Sequence, residues 1–341
     1  MNILYSLITV VLLVLIGALA GRGDTGRAFL AVAVPYAALA IFLVGVCYRV
    51  LRWAWTPVPF RIPTSCGQQK SLPWIKASSG DNPSTGWGVL VRMGFEVLAF
   101  RSLFRNNEAR LDKGRLVIVE NKYLWLGAIA FHWSLLMILL RHLRFLVEPV
   151  PAFVFRLHHV DSFFQLTLPD FYISDAVIIV TLAYLLLRRL RDPLVRYMSL
   201  FTDYFALFLL LGIAASGVLM RYALHPDIVA IKQFALGLAS FHPIAPSALS
   251  AMPLVHVLLV SALAAYFPFS KLMHMGGVFL SPTRNLANNN RSHRHINPWN
   301  YPVRTHTYAE WEAEFHDKIK AAGLPLDAPL GAKDAGKASA D

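Results

Sequence analysis

The sequence predicts an all-α integral membrane protein folded as a six-span helical bundle. Of its 341 residues, 56% are hydrophobic and only 15% are charged, whereas a soluble domain normally has about 25% charged residues. Several apolar stretches approach the roughly 20 residues with which a helix crosses the hydrocarbon core of a bilayer. A cytoplasmic amphipathic helix and a soluble C-terminal tail complete the predicted architecture.

Composition also limits the classes of function. The chain has two cysteines, Cys47 and Cys66, so it cannot itself ligate an iron–sulfur cluster, which needs about four thiolates. The net charge of +12 would suggest nucleic acid in a soluble protein, but here the basic residues lie between spans, as membrane topology requires. We therefore expect contact with membrane lipid and none with nucleic acid. No internal repeat is evident, which counts against an inverted-repeat transporter.

Residues 1–48 are predicted to form two N-terminal transmembrane helices, at residues 3–20 and 28–48. Residues 18–20, Ala-Leu-Ala, resemble a signal-peptidase site. A cleaved signal normally begins with basic residues, and none precedes this stretch, so a retained span is favoured. Cleavage would instead leave five spans with the N-terminus outside.

Residues 49–121 are predicted to form a cytoplasmic loop, because twelve Lys or Arg fall within residues 49–122 and positive loops stay inside. An amphipathic helix is expected at about residues 86–106, lying among lipid headgroups or packing on a partner subunit. Its apolar residues recur at helical spacing, with charged residues between them. The apolar set is Val89, Leu90, Met93, Val97, Phe100 and Phe104, and the charged set is Arg92, Glu96, Arg101 and Arg105.

Residues 122–274 are predicted to form a four-span, haem-binding core. The short basic loop at residues 188–196 is the best topological signal, because short positive loops remain in the cytoplasm. Both termini are then cytoplasmic, and the protein is a multi-pass protein of the inner cell membrane. Asp203 is expected to cap the fifth span.

Residues 275–341 are predicted to form a cytoplasmic C-terminal tail. Within it, Thr307 and Glu310 fit the capping box that starts a helix. Gly323 fits the residue that follows a helix C-terminus.

The haem hypothesis rests on four histidines in two spans. His132 and His142 are ten residues apart, about 15 Å along a helix, and His256 and His274 are eighteen apart, about 27 Å. An ionisable residue inside a span is costly and marks a functional site. Because the two spans run antiparallel, His132 should meet His274 toward the cytoplasm, and His142 should meet His256 toward the outside. Two facing imidazoles can hold a haem iron, which predicts two haems with irons roughly 20 Å apart.

His274 is the least secure member of the set. It lies three residues beyond Lys271, where a straight helix would bring it to the membrane surface. A kink at Pro268 would turn it back inward.

Other residues are candidates for haem propionates or for a quinone site. Basic residues near each surface would pair with propionates, and the alternative for each is ordinary snorkelling to the headgroups. A histidine pair beside a span end would relay protons to a quinone, and the alternative is a solvated loop pair. The basic candidates are Arg141, Arg144 and Arg221 outside with Lys271 and Arg188 inside, and the histidine pair is His158 and His159.

Two other classes of function remain open. A transporter or channel would use intramembrane histidines as a proton or substrate relay. A structural membrane anchor would hold the same histidines by ordinary hydrogen bonds.

The histidine spacings of ten and eighteen resemble those of the cytochrome b gamma subunit of respiratory nitrate reductase, a five-span, dihaem, quinol-oxidising bundle. This resemblance covers the last five spans and leaves the first as an additional N-terminal helix. Four motifs look like the membrane cytochrome b family of the dissimilatory sulfite-reduction electron-transfer complex (DsrM), over nearly the whole chain. They are FRSLFRN at 100–106, AFHWSLLMILLRHLRF at 130–145, FPFSKLMHMGGVFLSPTRN at 267–285 and HINPW at 295–299.

The resemblance implies an electron-transfer subunit of an oxidoreductase complex in dissimilatory sulfur metabolism. Its cofactors would be two haem b, and its exchangeable substrate would be menaquinone, bound near His142 and His256. Its partners would be a cytoplasmic iron–sulfur subunit similar to heterodisulfide reductase, a second membrane subunit and periplasmic redox subunits. The chain would catalyse no bond chemistry beyond the oxidation or reduction of the quinone.

Overall fold

The computed structural model describes residues 1–56, 67–162, 170–244, 249–291, 302 and 304–327. It confirms the prediction of an all-α integral membrane protein. The described residues belong to two compact units. One is the helical bundle, which contains everything described up to residue 291, and the other contains a helix near the C-terminus. The motif at residues 295–299 lies outside the described residues.

Helices make up nearly all of the regular structure, and a few of them continue through short π or 3₁₀ turns. In chain order the elements are α1 (Asn2–Ala20), α2 (Asp24–Ala28), a π turn (Phe29–Ala33), α3 (Val34–Ala54), α4 (Gly86–Ala99), α5 (Arg101–Phe104), β1 (Asn107–Asp112), β2 (Arg115–Glu120), α6 (Lys122–Leu146), α7 (Ala152–Asp161), α8 (Ile173–Arg191), α9 (Pro193–Met198), α10 (Phe201–Leu219), a π turn (Met220–Leu224), α11 (Ile228–Ala239), α12 (Ala251–Tyr266), two 3₁₀ turns (Phe267–Phe269 and Lys271–Met273), α13 (His274–Leu280) and α14 (Tyr308–Ala321).

Five of the described helices are long and apolar enough to cross a membrane. They are α1, Asp24–Ala54, α6, Phe201–Leu224 and Ala251–Phe269. α8 has 19 residues and lies between α6 and α10, where Ile178 and Leu182 are buried. It therefore occupies the place of the fourth predicted span.

Successive spans alternate in direction, so the bundle has two distinct ends. The Asp203 end holds the starts of α1, α6 and α10 and the ends of α3, α8 and α12, and Asp203 lies in the first turn of α10. The Asp175 end holds the opposite termini, and Asp175 lies in the first turn of α8.

α1 packs as an integral part of the bundle. Its Ser6 hydroxyl donates to the Phe201 carbonyl of α10 at 2.9 Å. Val10 is buried with Leu209 and Leu259. The stretch that the sequence left open between a cleavable signal and a span thus forms part of the hydrophobic core.

The predicted amphipathic helix at about residues 86–106 is interrupted. α4 ends at Ala99 because Phe100 adopts the left-handed conformation, with φ 50° and ψ 45°. The Glu96 carboxylate accepts a hydrogen bond from the Ser102 backbone N–H at 3.1 Å. This bond satisfies a donor that is free at the start of the short helix α5.

β1 and β2 form an antiparallel hairpin that was not predicted from the sequence. Lys113 and Gly114 between them have φ of 48° and 78°, which is the two-residue turn favoured in hairpins. The available signal was the Lys-Gly pair followed by a β-branched run, Val117–Val119 in the sequence Arg-Leu-Val-Ile-Val-Glu.

α12 ends before His274 instead of continuing through it as a kinked helix. A 3₁₀ turn contains Pro268, Ser270 is extended, and a second 3₁₀ turn leads into α13, which begins at His274. Gly45 of α3 permits this path, because a Cβ atom there would lie 2.7 Å from the Pro268 Cβ. Pro268 therefore packs directly on α3, and the chain changes direction just before His274.

Three predicted helix signals are confirmed. The Asp203 carboxylate accepts from the Leu200 backbone N–H at 3.0 Å and caps α10. In α14, Thr307 Oγ accepts from the Glu310 N–H and the Glu310 carboxylate accepts from the Thr307 N–H. Gly323 follows α14 with a φ of 68°, the left-handed conformation typical of that position.

Replacing Gly45 with alanine is expected to lower the thermal stability of the protein. A Gly→Ala change within a helix normally stabilises by roughly 0.5–1 kcal/mol. Here the added methyl would overlap Pro268, and overpacking typically costs about 1–3 kcal/mol. Gly94→Ala in α4 is the matched control, since nothing lies within 4 Å of a Cβ atom there. Thermal unfolding in detergent compares the melting temperatures of the two variants. Equal melting temperatures would contradict the close contact between Gly45 and Pro268.

Candidate functional site

The structure brings His132 and His274 together toward the Asp203 end. Their ring centroids are 5.9 Å apart, and the ring planes are nearly perpendicular at 87°. The break in the chain at Ser270 makes this possible, since it carries the start of α13 back toward α6. Phe100 packs edge-to-face on the His132 ring at 4.9 Å.

His142 and His256 meet toward the Asp175 end. Their ring centroids are 6.5 Å apart, and the ring planes are nearly parallel at 9°. α6 packs on α8 and α11, while α12 packs on α1, α3 and α10. The two histidine pairs therefore lie between two separately supported walls of the bundle.

Each of the four rings hydrogen-bonds through Nδ1. His132, His142 and His274 pair with the carbonyls of Ala128, Ile138 and Lys271 at 2.7–2.8 Å. A carbonyl only accepts, so these Nδ1 atoms carry the proton.

His256 reaches the same tautomer through a hydroxyl. Its Nδ1 lies 2.8 Å from Ser216 Oγ, and Ser216 Oγ donates its own proton to the Ile213 carbonyl at 2.9 Å. The hydroxyl must therefore accept from His256 Nδ1. Within the part of the chain that is described, no residue hydrogen-bonds to Nε2 of any of these four rings.

The two pairs fit a bis-histidine haem. A metal–imidazole bond is about 2 Å long, so two rings that hold one metal from opposite sides have centroids roughly 6 Å apart, close to the 5.9 and 6.5 Å found. Metal-bound histidines usually donate their other N–H to a protein acceptor, as all four rings do. The described residues contain no group of three or more His, Cys, Asp or Glu that would hold a metal alone, whereas a haem iron needs only two axial ligands.

A buried polar cluster surrounds Arg141 at the Asp175 end. Arg141 is 8% exposed, and its guanidinium lies 3.0 Å from the Asp161 carboxylate and 2.6 Å from the Asp175 carboxylate. It also donates to Ser174 Oγ. Two carboxylates therefore balance this charge within the protein, and the propionate role predicted for Arg141 stays a prediction.

Tyr172 links this cluster to His158. The Arg141 and Arg221 guanidinium carbons lie 3.6 and 3.9 Å from the Tyr172 ring centroid. The Tyr172 hydroxyl lies 2.7 Å from His158 Nδ1, and His158 Nε2 lies 3.5 Å from the Asp170 carboxylate. Burial, followed by the positive charge of Arg144, lowers the pKa of His158. His158 is therefore neutral at pH 7 and hydrogen-bonded on one side.

The other predicted residues lie in simpler surroundings. Arg144 packs on Phe145, Arg221 donates to the Asp170 carbonyl, and His159 is exposed beside His158. At the Asp203 end, Lys271 donates to Asp203 at 2.8 Å, and Arg188 lies in the last turn of α8. No contact here tests their predicted propionate or quinone roles.

Several polar residues of the Asp175 end were not predicted from the sequence as parts of a cluster. Tyr222 donates to Asp175 at 3.0 Å and accepts from the Tyr172 N–H. Asp161 accepts from both the backbone N–H and the hydroxyl of Ser174. The available signal was three acidic residues close to a span end, where an unpaired carboxylate would be costly.

Comparison with known proteins agrees with this arrangement. Residues 85–293 match the nitrate reductase gamma subunit family. The chain belongs to this family. The matched region begins at α4, extends beyond α13 and contains all four paired histidines. A nitrate reductase gamma-like chain with this set of apolar helices is a multi-pass membrane protein.

Two relatives of this nitrate reductase gamma-like chain come from archaea. The Hdr-like menaquinol oxidoreductase cytochrome b-like subunit of Archaeoglobus fulgidus is 46% identical over 275 residues, which cover 79% of this chain and 82% of the relative. The protein of the same name from Archaeoglobus profundus is 41% identical over 274 residues, covering 78% and 81%.

Removing Arg141 is expected to destabilise the protein far more than removing its neighbour Arg144. Arg141→Leu leaves the buried carboxylate of Asp161 and the partly buried carboxylate of Asp175 without their cation, and breaking a buried ion pair on one side typically costs about 3–5 kcal/mol. Arg144→Leu removes a guanidinium that makes no ion pair with the described residues, so a change below about 1 kcal/mol is expected. Denaturant unfolding in detergent measures the free energy of unfolding of both variants. Similar losses in the two variants would contradict the charge balance assigned to Arg141.

Proposed function

We propose that this chain is a dihaem cytochrome b subunit that passes electrons between menaquinone and a redox partner. His132 with His274 would ligate one haem b, and His142 with His256 would ligate the other. The observation that carries the proposal is the state of these rings: each is anchored through Nδ1 and placed about 6 Å from its counterpart. Bound haems would supply one-electron carriers at two depths of the bundle.

The family and the printed names of the relatives support the same function. Nitrate reductase gamma subunits are the matched family, and both relatives are called menaquinol oxidoreductase cytochrome b-like subunits. A proton relay in a transporter is less well supported, because a relay needs histidines linked to further proton carriers. Among the described residues, the hydrogen-bond partners of these four rings are three backbone carbonyls and one serine hydroxyl, and none of these leads to another titratable group.

We place the quinone site at the Asp175 end, close to His142 and His256. A quinol releases two protons when it gives up two electrons, so this end needs a proton acceptor. His158 suits that role, because its lowered pKa keeps it neutral at pH 7 and Asp170 lies 3.5 Å from its Nε2. His159 would continue the path, since its exposed ring lies 5.5 Å from the ring of His158.

The Asp203 end would face the cytoplasm of a cell with an inner membrane. Short loops rich in Lys and Arg remain inside, and four arginines lie at residues 188–196, in the last turn of α8 and in α9. Both termini would then be cytoplasmic. The loop at residues 49–121 and the tail at residues 275–341 would lie on this side.

The proposed complex contains further redox subunits. A cytoplasmic iron–sulfur subunit similar to heterodisulfide reductase would dock on the Asp203 end, with a second membrane subunit and periplasmic redox subunits completing it. The Hdr-like names of the relatives support the first of these. We extend the proposal to dissimilatory sulfur metabolism on the strength of the sequence motifs alone.

Single His→Ala changes test the ligand pairs. His132→Ala and His274→Ala should remove the same b-type haem, and His142→Ala and His256→Ala should remove the other, because one lost axial ligand frees the iron. Reduced-minus-oxidised spectra and haem content of the purified protein measure this. His242→Ala changes an exposed histidine and is the control. Loss of different haems within a pair would refute the pairing, and a wild-type protein without b-type bands would favour a relay or an anchor.

Truncation tests the docking of the cytoplasmic partner. A stop after Arg291 should release the iron–sulfur subunit during co-purification and leave the haem spectrum intact. A cut after Arg284 is less suitable, because Asn288 beyond it is buried and donates to Asn82 at 2.6 Å. A stop after Asp327, which retains α14, is the control and should keep the partner. Haem loss on the Arg291 truncation, or a partner that stays bound, would contradict the docking role.

A further inference from the structure

The charged residues of α4 face the protein and not the surroundings. Arg92 is 4% exposed and donates to the backbone carbonyls of Asp81 at 3.0 Å and Thr283 at 2.8 Å, and also to that of Arg284. Glu96 accepts from the Ser102 hydroxyl at 2.7 Å, and the Arg284 guanidinium lies 3.5 Å away from it. The polar side of α4 is thus bonded to other parts of the protein.

The opposite side of α4 is apolar and uncovered. The exposed residues recur at helical spacing and form a single stripe along the helix. They are Trp87, Leu90, Val91, Phe95, Val97 and Leu98. This is the reverse of the orientation expected for a helix whose charges contact headgroups.

The end of α4 lies at the depth of the histidine pair. Phe100 contacts the His132 ring, and His132 is ten residues into α6, about 15 Å from its start at Lys122. Lys122 and Arg141 are about 28 Å apart along α6, close to the roughly 30 Å of a bilayer hydrocarbon core. The end of α4 therefore lies near the middle of that core.

Two tryptophans of α6 satisfy the backbone at this end. The last carbonyls of a helix have no partner within the helix, and in hydrocarbon no water can supply one. The Trp133 indole N–H donates to the Leu98 carbonyl at 3.2 Å, and the Trp125 indole N–H donates to the Ala99 carbonyl at 2.7 Å. These bonds are what a helix end needs inside a membrane.

After Phe100 the chain returns to the Asp203 end. Phe104 of α5 packs on Trp125 at 4.9 Å, and the Asn121 N–H donates to the Asn106 carbonyl just before α6 begins. α4 and α5 thus enter and leave on the same side. Leu98 also borders Trp133, which is exposed on α6 together with Leu126, so the apolar stripe is continuous with the outer surface of a membrane span.

We propose that α4 and α5 form a re-entrant hairpin whose stripe from Trp87 to Leu98 contacts lipid acyl chains and whose tip, Phe100, closes one side of the His132–His274 pair. The inference does not depend on the presence of haem. A partner protein on the stripe is the competing occupant, but the continuity with α6 favours lipid.

Spin labels measure the depth directly. In a Cys47→Ser, Cys66→Ser background, nitroxides on Leu90→Cys and Leu98→Cys are compared with two controls in proteoliposomes of the full chain. Leu126→Cys reports a span surface and Leu111→Cys reports the exposed hairpin; their native side chains are 56% and 76% exposed. Power saturation of the nitroxides at positions 90 and 98 should be dominated by oxygen, as at position 126. Power saturation at position 111 should be dominated by a water-soluble nickel chelate.

Two results would overturn the proposal. One is nickel-dominated saturation at positions 90 and 98, which would place α4 in water or among headgroups. The other is protection of both positions from both reagents in the co-purified complex, with nickel access once the partners are stripped, which would assign the stripe to a protein.

A charge substitution gives an independent measurement. Leu98→Asp should sharply reduce the yield of membrane-inserted protein, because a carboxylate on a lipid-facing surface is unfavourable at this depth. Leu111→Asp, equally apolar and more exposed in the native protein, should leave the yield unchanged. Equal yields would also overturn the proposal.

Discussion

The architecture depends on how four histidine rings are held between the two walls of the helical bundle. Each ring is bonded through Nδ1 to a carbonyl or hydroxyl of the protein. An unpaired polar atom is expensive in apolar surroundings, and the Nδ1 bonds remove that cost for one nitrogen of each ring. The packing of the two walls holds the rings of each pair about 6 Å apart. The remaining spans support that distance, with α8 and α11 behind α6 and with α1, α3 and α10 behind α12.

Buried arginines follow the same rule at both ends. Arg141 at the Asp175 end is balanced by two carboxylates. Arg92 at the Asp203 end is held by backbone carbonyls from two distant parts of the chain. Because each guanidinium bonds to groups that are far from it in the chain, both clusters connect separate segments of the fold. One connects Tyr172 and α8 beside the His142–His256 pair, and the other connects α4 to the segment after α13 beside the His132–His274 pair.

Much of the fold and part of the site could be predicted from local sequence. Spans follow from apolar length, and the caps at Asp203 and Thr307 follow from short-range patterns. The depth order of the histidines follows from helical rise, which explains why the rings that meet are those that the spacings predicted. The reversed face of α4 and the cluster around Arg141 could not be predicted, because an arginine among apolar residues has no local sign of whether it will find a buried partner.

The sequence by itself determined that the chain crosses a membrane repeatedly and carries two histidines on each of two antiparallel spans, since hydropathy and residue spacing are local properties. Only the tertiary structure decided how His274 reaches His132: Pro268 packs on Gly45, and two 3₁₀ turns redirect the chain. It also decided which nitrogen each histidine keeps free and which side of α4 faces outward. These outcomes depend on contacts between residues far apart in the chain, whose energies appear only when the helices pack.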